Sequence, residues 1–276
     1  MFTPAIPIGG FAGFKVFDRS SERQLAAFSK SPEIKRDIAY FREQIAEVIA
    51  PENILSDRRL LTVALGAFGL ETEISKRAII RRVLEQPLES SDSFVNRLND
   101  PRWKAFARAF GFGDGSPRVT TPAFRDDIAA RYLERSFERA VGDVNPDIRL
   151  ALNFRREARA IAEGASVDRS GWFQILGQSP LRLVVQGAFN LPASVAQLDI
   201  DRQKTIFEEK SLALFGTRSP AAFRDEKNIE IALRKFFVAR TIEDSASISS
   251  PGATALILLG GGQSPAAGLI LSNART

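Results

Sequence analysis

The sequence contains no cysteine, no histidine and one methionine. Without histidine or cysteine there is no Ser-His-Asp triad, no thiolate nucleophile and no Cys/His zinc centre. A catalyst here would be confined to Asp, Glu, Lys, Ser, Thr, Tyr or Arg. The missing cysteines also exclude disulfides, so they do not report the redox compartment; cytoplasm and export to the cell exterior are both compatible. Long apolar runs are missing as well. No window offers the roughly 18 apolar residues of a membrane span. The nearest, Ala253 to Leu271, is broken by the Gly260-Gly261-Gly262-Gln263-Ser264-Pro265 run. The start, MFTPAIPIGGFAGF, lacks the basic beginning and unbroken apolar core of a secretory signal, so no cleavable signal peptide is expected.

What is present is ordinary for a globular chain. The 276 residues suffice for a substantial core, with 44% apolar and 26% charged residues. The net charge of +5 permits an anionic partner without requiring one. Arginine outnumbers lysine 29 to 9, a skew that suits phosphate or carboxylate recognition but equally suits surface ion pairs.

Proline placement points to helices. Of 14 prolines, ten follow Ser, Thr, Asp or Asn. Six of these pairs precede helix-like segments: Ser31-Pro32, Asp100-Pro101, Thr121-Pro122, Asn145-Pro146, Ser179-Pro180 and Ser219-Pro220. The polar side chain can accept a bond from a free backbone N–H at a helix start. Proline at the first helical position has no N–H to lose and a φ that is already helical. Apolar spacing agrees: Ile34, Ile38, Phe41, Ile45 and Val48 recur at three or four, as do Phe124, Ile128 and Tyr132, with Phe137 and Val141 beyond. Ser21 and Gln24 have capping-box spacing and predict a helix start there. No sustained strand-like alternation appears. TALILL (254–259) and GLIL (268–271) in the tail are compatible with short strands, frayed helix or disordered chain.

Three near-copies of one five-residue phrase stand out: GAFGL at 66–70, RAFGF at 108–112 and GAFNL at 187–191. A helix is predicted to run into each, over Ser56 to Phe68, Asp100 to Phe110 and Ser179 to Phe189. The residue that follows is Gly69, Gly111 or Asn190, the types that most readily take the left-handed conformation closing a helix. Leu70, Phe112 and Leu191 then supply the apolar residue that packs back on the last turn, where Ala64, Phe106 and Val185 stand. The second and third copies align without a gap; the first has one extra residue. A helix and a short Ser/Phe-containing segment follow the first copy (SKRAIIRRVLEQP, SDSFVNRL) and the third (DIDRQKTIFEEKSL, SPAAFRDE). This reads as a diverged internal duplication of helical hairpins.

The candidate chemistry is sparse. Gly9 to Gly13, Gly111 to Gly115 and Gly260 to Gly262 are Gly-rich, but none carries the Gly-Lys-Ser/Thr of a phosphate loop or the strand-then-helix frame of a dinucleotide site. They read as loops and turns. Asp199-Ile200-Asp201 has the form of a cation-binding pair, yet it stands before an amphipathic helix and reads first as a cap. Asp126-Asp127 is placed in a first helical turn for the same reason. Trp103, by its spacing with Phe106, Ala107 and Phe110, and Trp172, which opens the apolar segment WFQIL, both read as core residues, with a partner-binding anchor as the other reading. Lys76, Arg77, Arg81 and Arg82, and Arg149, Arg155, Arg156 and Arg159, form two basic stretches with acids interleaved, which reads as a solvated face before a nucleic-acid surface.

Several stretches together resemble a known family. SPEIKRDIAYFREQI, LSDRRLLTVALGAFGL, RRVLEQ, FVNRLNDPRWKAFARAFGFGD, DIRLALNFRRE, WFQILGQSPLRLVVQGAFNLP and LDIDRQ occur in the order found in the DUF1217 family of α-proteobacteria. The GGFAGF start and the AVGD…RLALN segment are most similar to Rhodobacter-group versions. The resemblance runs from about Phe2 to Arg240. Members often sit in flagellar gene clusters, so it implies helical structure and a flagellum-linked role. It supplies no catalytic motif and no site residues.

The expectation is an all-α array of helical hairpins: an extended segment over 1–17, a helical domain over 18–240 and a Gly/Ser-containing tail over 241–276. The expected function is non-enzymatic, in flagellar assembly or structure through protein–protein contacts, with flagellar or other bacterial proteins as partners. The alternative is an anionic-ligand or nucleic-acid-binding regulatory module, though nucleic acid is not the favoured partner. No catalytic, cofactor or metal residue is assigned. The expected location is cytoplasmic or flagellum-associated. A rod subunit would show coiled-coil heptads at both termini, and these are not visible, which favours an accessory role.

Overall fold

The computed structural model describes residues 2–248 except 89, 91, 99 and 116. TALILL, GLIL and Gly260 to Gly262 lie outside the described residues. Those described form thirteen α-helices joined by short loops and 3-10 turns, with no strand among them. The all-α expectation holds.

Helix α1 covers Gly10–Phe28 and α2 covers Pro32–Gln44. So α1 begins inside the stretch expected to be extended, which shrinks to the residues before Gly10. Ser21 and Gln24 lie within α1 and do not cap it. Its start is set at Gly9, the N-cap, and at Gly10, which has φ +67. Gln24 is used differently. Its amide accepts from Ala5 N at 2.8 Å and donates to Ala5 O at 3.2 Å, fastening the N-terminal segment to α1.

Next come α3 (Pro51–Ser56), α4 (Arg58–Gly66), α5 (Arg77–Glu85), α6 (Phe94–Arg97) and α7 (Pro101–Phe110). Two long helices follow, α8 (Pro122–Val144) and α9 (Pro146–Glu163). Asn145 ends the first and caps the second, taking a bond from Ile148 N at 3.0 Å. One residue thus makes the corner of an antiparallel pair. The last four are α10 (Val167–Gly177), α11 (Ser179–Ala188), α12 (Ile200–Phe215) and α13 (Glu226–Ile248). Since α13 reaches Ile248, the helical body extends past the expected boundary at 240.

Four of the six polar–proline pairs act as predicted: the side chains of Asp100, Thr121, Asn145 and Ser219 accept from a backbone N–H in the following turn. Ser179 instead occupies the first position of α11, with Gln178 as N-cap, and Ser31 makes no side-chain cap bond. All three helix terminators are left-handed: Gly69 at φ +68, Gly111 at φ +71 and Asn190 at φ +51, the last being the one described non-glycine residue with positive φ. Leu70 N bonds Leu65 O and Leu191 N bonds Gln186 O, the six-to-one closure of a Schellman end. At the second copy, Gly111 N bonds Ala107 O, the simpler one-bond form.

The element order after the first terminator (α5, α6, later the long α8) parallels that after the third (α12, a 3-10 turn at Pro220–Arg224, then the long α13). The parallel includes packing. A Cβ at Gly66 would lie 2.9 Å from Cδ2 of Tyr132 on α8, and one at Gly187 would lie 3.0 Å from Cδ2 of Phe236 on α13. The opening glycine of GAFGL and GAFNL therefore leaves room for an aromatic ring of a long helix.

One hydrophobic core runs from Phe14 to Phe237. Chain closure is part of it. Phe14 stacks on Phe237 at 5.4 Å, Lys15 pairs with Glu230, and Gly10 lies beside Thr241, so α1 and α13 pack antiparallel. Trp172 is buried with edge contacts to Phe207 and Phe223, and its indole N–H donates to Arg218 O at 2.7 Å. Trp103 is buried beside Phe106. Both tryptophans belong to the core.

Candidate functional site

The long α8–α9 pair carries a dense set of charges. Arg156 grips Glu138 through two bonds, Nε–Oε1 at 3.0 Å and Nη2–Oε2 at 2.9 Å, and also bonds Glu157. Arg135 donates to Glu157 at 2.7 Å. The neighbouring Arg102 on α7 pairs with Asp100 and donates to the carbonyl of Gly69 at the first terminator. Arg102, Arg135, Glu138 and Glu157, with Arg156 behind them, border an open cleft of about 730 Å³ between the end of α4, the α8–α9 pair and the α10–α11 junction.

Electrostatics in the cleft is mutual. Burial works against the Arg156 cation, but Glu138, Glu157 and Glu134 outweigh it and hold its pKa above the ordinary value. Burial, and then the Arg156 charge, lower that of Arg135. Burial raises Glu134. A bidentate Arg–carboxylate pair with a shared second acid fixes two helices in register and satisfies its own charges. Among the described residues lining the cleft, Arg149 is the basic side chain with no carboxylate within ion-pair distance.

The two basic stretches are largely spent in the same way. Arg155 pairs with Asp18 and Glu226, and Arg159 with Glu163 and Glu226. Lys76 pairs with Glu73 and Arg81 with Glu52, while Arg82 lies over the Phe94 ring at 4.7 Å. The stretches do not merge into one cationic face.

The aspartate pairs also have structural tasks. Asp199 caps α12 by accepting from Arg202 N at 2.9 Å. Asp126 and Asp127 sit past the first turn of α8, not within it, because that helix already starts at Pro122; they pair with Arg42 and Arg131. No group of three or more Asp or Glu among the described residues converges as a metal site would require. In the glycine-rich loop after α7, Asp114 accepts from Leu88 N, and a Cβ at Gly113 would strike the carbonyl of Gln86 at 2.1 Å. At the N-terminus, a Cβ at Gly13 would meet the carbonyl of Ile8 at 1.8 Å. Gly113 lets two distant segments cross, and Gly13 lets the residues just before α1 fold back against the helix.

The feature that sequence reasoning missed is the outward side of α13. Ile229, Ala232, Leu233, Phe236 and Phe237 bury one face in the core. Ile231, Val238 and Ile242, spaced by seven and four, form a stripe on the opposite face. Val238 is 53% exposed and Ile242 62%. Grooves flank the stripe. On one side Phe11 and Phe237 floor a groove of about 190 Å³; on the other, α11 and α13 enclose one of about 250 Å³. The spacing of the three apolar residues was legible; that they face away from the core was not.

The family model described as "Protein of unknown function (DUF1217)" matches residues 67–250. The chain belongs to the DUF1217 family. The matched span opens within GAFGL and runs through α13, so the shown family region starts later than the resemblance that began near Phe2. Comparison with curated proteins gives no match. A crystal structure of a protein from Agrobacterium tumefaciens is similar, with a TM-score of 0.71 and 25% identity, covering 87% of this chain and 99% of the other. The DUF1217 fold described here is thus shared with an experimentally solved relative over nearly its whole length. No described helix of this family member is long and apolar enough to cross a membrane.

Proposed function

We propose that the protein is a non-catalytic helical scaffold that acts through contacts with other proteins, in the flagellar setting suggested by its family resemblance. The observation that carries the reading is the stripe of Ile231, Val238 and Ile242 on α13. A helix with apolar residues on two opposite faces has one face for its own core and one for something else. The charged cleft supports the same reading, because apart from Arg149 its arginines pair with its acids and tie helices together. That mutual pairing also argues against the anionic-ligand and nucleic-acid alternative.

The test is genetic and biochemical together. The gene is deleted in the source bacterium and complemented with the intact gene or with Ile231→Asp/Val238→Asp. Swimming in soft agar, filaments and hook–basal bodies are scored, and circular dichroism checks that the variant is folded. Loss of motility in the deletion, restored by the intact gene and not by the folded variant, is the expected result. Normal swimming in the deletion would remove the flagellar setting. Full rescue by the variant would remove this face as the contact surface.

A further inference from the structure

An open trough of about 540 Å³ lies where α7 meets the start of α8. Helical spacing builds its walls. Ala105, Arg108 and Ala109 share one face of α7, and Ala123, Asp127 and Arg131 recur at four along α8. Alanine side chains end at Cβ, so the three alanines leave the space between the helices open. Phe68, just after α4, and Phe124 are buried and form the floor. Arg118 joins the lining from the loop between α7 and α8.

The charge here is one-sided. Arg131 is held by Asp127, with Nε 3.0 and 2.9 Å from the two carboxylate oxygens, and it lies over the Phe68 ring at 5.6 Å. The Thr121 hydroxyl is also committed, donating to Arg118 O and accepting from Phe124 N. Arg108 and Arg118 are exposed, and among the described residues neither has a carboxylate within ion-pair distance. Three guanidinium groups thus face one carboxylate. The cleft on α8–α9, where most charges are paired, has no such excess.

These features decide what the trough can hold. A single small anion on an exposed arginine competes with water and salt and gains little. A chain carrying two carboxylates engages both arginines, and its second contact is made at high effective concentration. The planar fork of arginine matches a carboxylate. Asp127 within the trough repels the unbroken charge of a nucleic-acid backbone. Spaced carboxylates avoid it, and small apolar residues between them cover the alanines.

We propose that this trough binds an acidic segment of another protein, with Asp or Glu side chains of that segment on Arg108 and Arg118. The proposal rests on the reading of the chain as a scaffold for other proteins, but on residues separate from the α13 stripe.

The probe is a fluorescein-labelled peptide of alternating Glu and Ala, titrated with the full chain at low salt and followed by fluorescence anisotropy. Saturable binding that weakens as salt is raised is expected. Arg108→Ala/Arg118→Ala should weaken it roughly tenfold. Arg202→Ala/Arg218→Ala removes the same charge from two exposed positions elsewhere and should bind as the parent does. Ala105→Phe fills the trough without changing its charge and should weaken binding several-fold. Circular dichroism checks that each variant is folded. No binding at low salt, or an equal loss in Arg202→Ala/Arg218→Ala, overturns the proposal. Full affinity in Ala105→Phe overturns the trough as the seat of the peptide. A single-stranded oligonucleotide that binds more tightly than the peptide, and is lost in Arg108→Ala/Arg118→Ala, overturns the acidic segment in favour of nucleic acid. Ile231→Asp/Val238→Asp should leave peptide binding unchanged, so failure of the trough and failure of the α13 contact face are read separately. Loss of peptide binding in that folded variant would overturn the trough in favour of α13.

Discussion

The ring of Phe236 lies against the backbone of Gly187, and a Cβ at that glycine would come within 3.0 Å of the ring carbon Cδ2. The ring itself is fully buried in the core, so it has little room to retreat. Gly187→Val should therefore destabilise the protein by about 2 kcal/mol through overpacking. Gly177, at the end of α10, has nothing within 4 Å of its would-be Cβ. Gly177→Ala should stabilise by about 0.5 kcal/mol through helix propensity. Urea unfolding followed by circular dichroism measures both, and equal effects of one sign would contradict the close-contact account.

Asn190 holds φ +51 at the third terminator. Glycine is at ease there, whereas alanine meets the Cβ penalty of the left-handed region. Asn190→Ala should cost about 1 kcal/mol, and Asn190→Gly should be neutral or slightly stabilising. The comparison is made by thermal unfolding. An alanine variant as stable as the glycine variant would show that the terminator is held by tertiary packing instead.

Glu138 is buried and its main partner is Arg156, so truncating the arginine leaves an uncompensated carboxylate. Arg156→Ala should cost about 3 kcal/mol, and Arg156→Ala/Glu138→Ala less than the sum of the single changes. A double-mutant cycle in urea gives the coupling. Additive effects would mean the pair does not act as a unit.

Tyr132 is pushed up to about 12, first by burial and then by Asp37, to which its hydroxyl donates at 3.0 Å. The raised value means the folded state keeps this proton when the unfolded chain has lost it. Its contribution is fully present below about pH 10 and is lost as pH rises toward 12, on the order of 2 kcal/mol in all. Tyr132→Phe should flatten the fall in stability over that alkaline window. An unchanged alkaline slope in the variant would assign the loss to other groups.

Much of the fold was legible because its punctuation is local. A cap acts over two or three residues and a Schellman end over five, so Asp100, Thr121, Asn145, Gly69 and Asn190 could be assigned from their neighbours. Where local signals competed, the reading failed. The Ser21–Gln24 spacing matched a capping box, yet the helix had already begun at Gly10, and Gln24 was committed to Ala5 nineteen residues away.

The sequence by itself determined that this chain is helical, where most helices stop and which apolar residues form the core, since these follow from backbone conformation and spacing within a turn or two. It also excluded histidine- and cysteine-based chemistry outright. Tertiary structure alone decided what met across long separations: Gly66 with Tyr132, Gly187 with Phe236, and Arg155 with Asp18. It alone turned Val238 and Ile242 outward. Such relations depend on how helices cross, and a face left uncovered is visible only when every other face has found its neighbour.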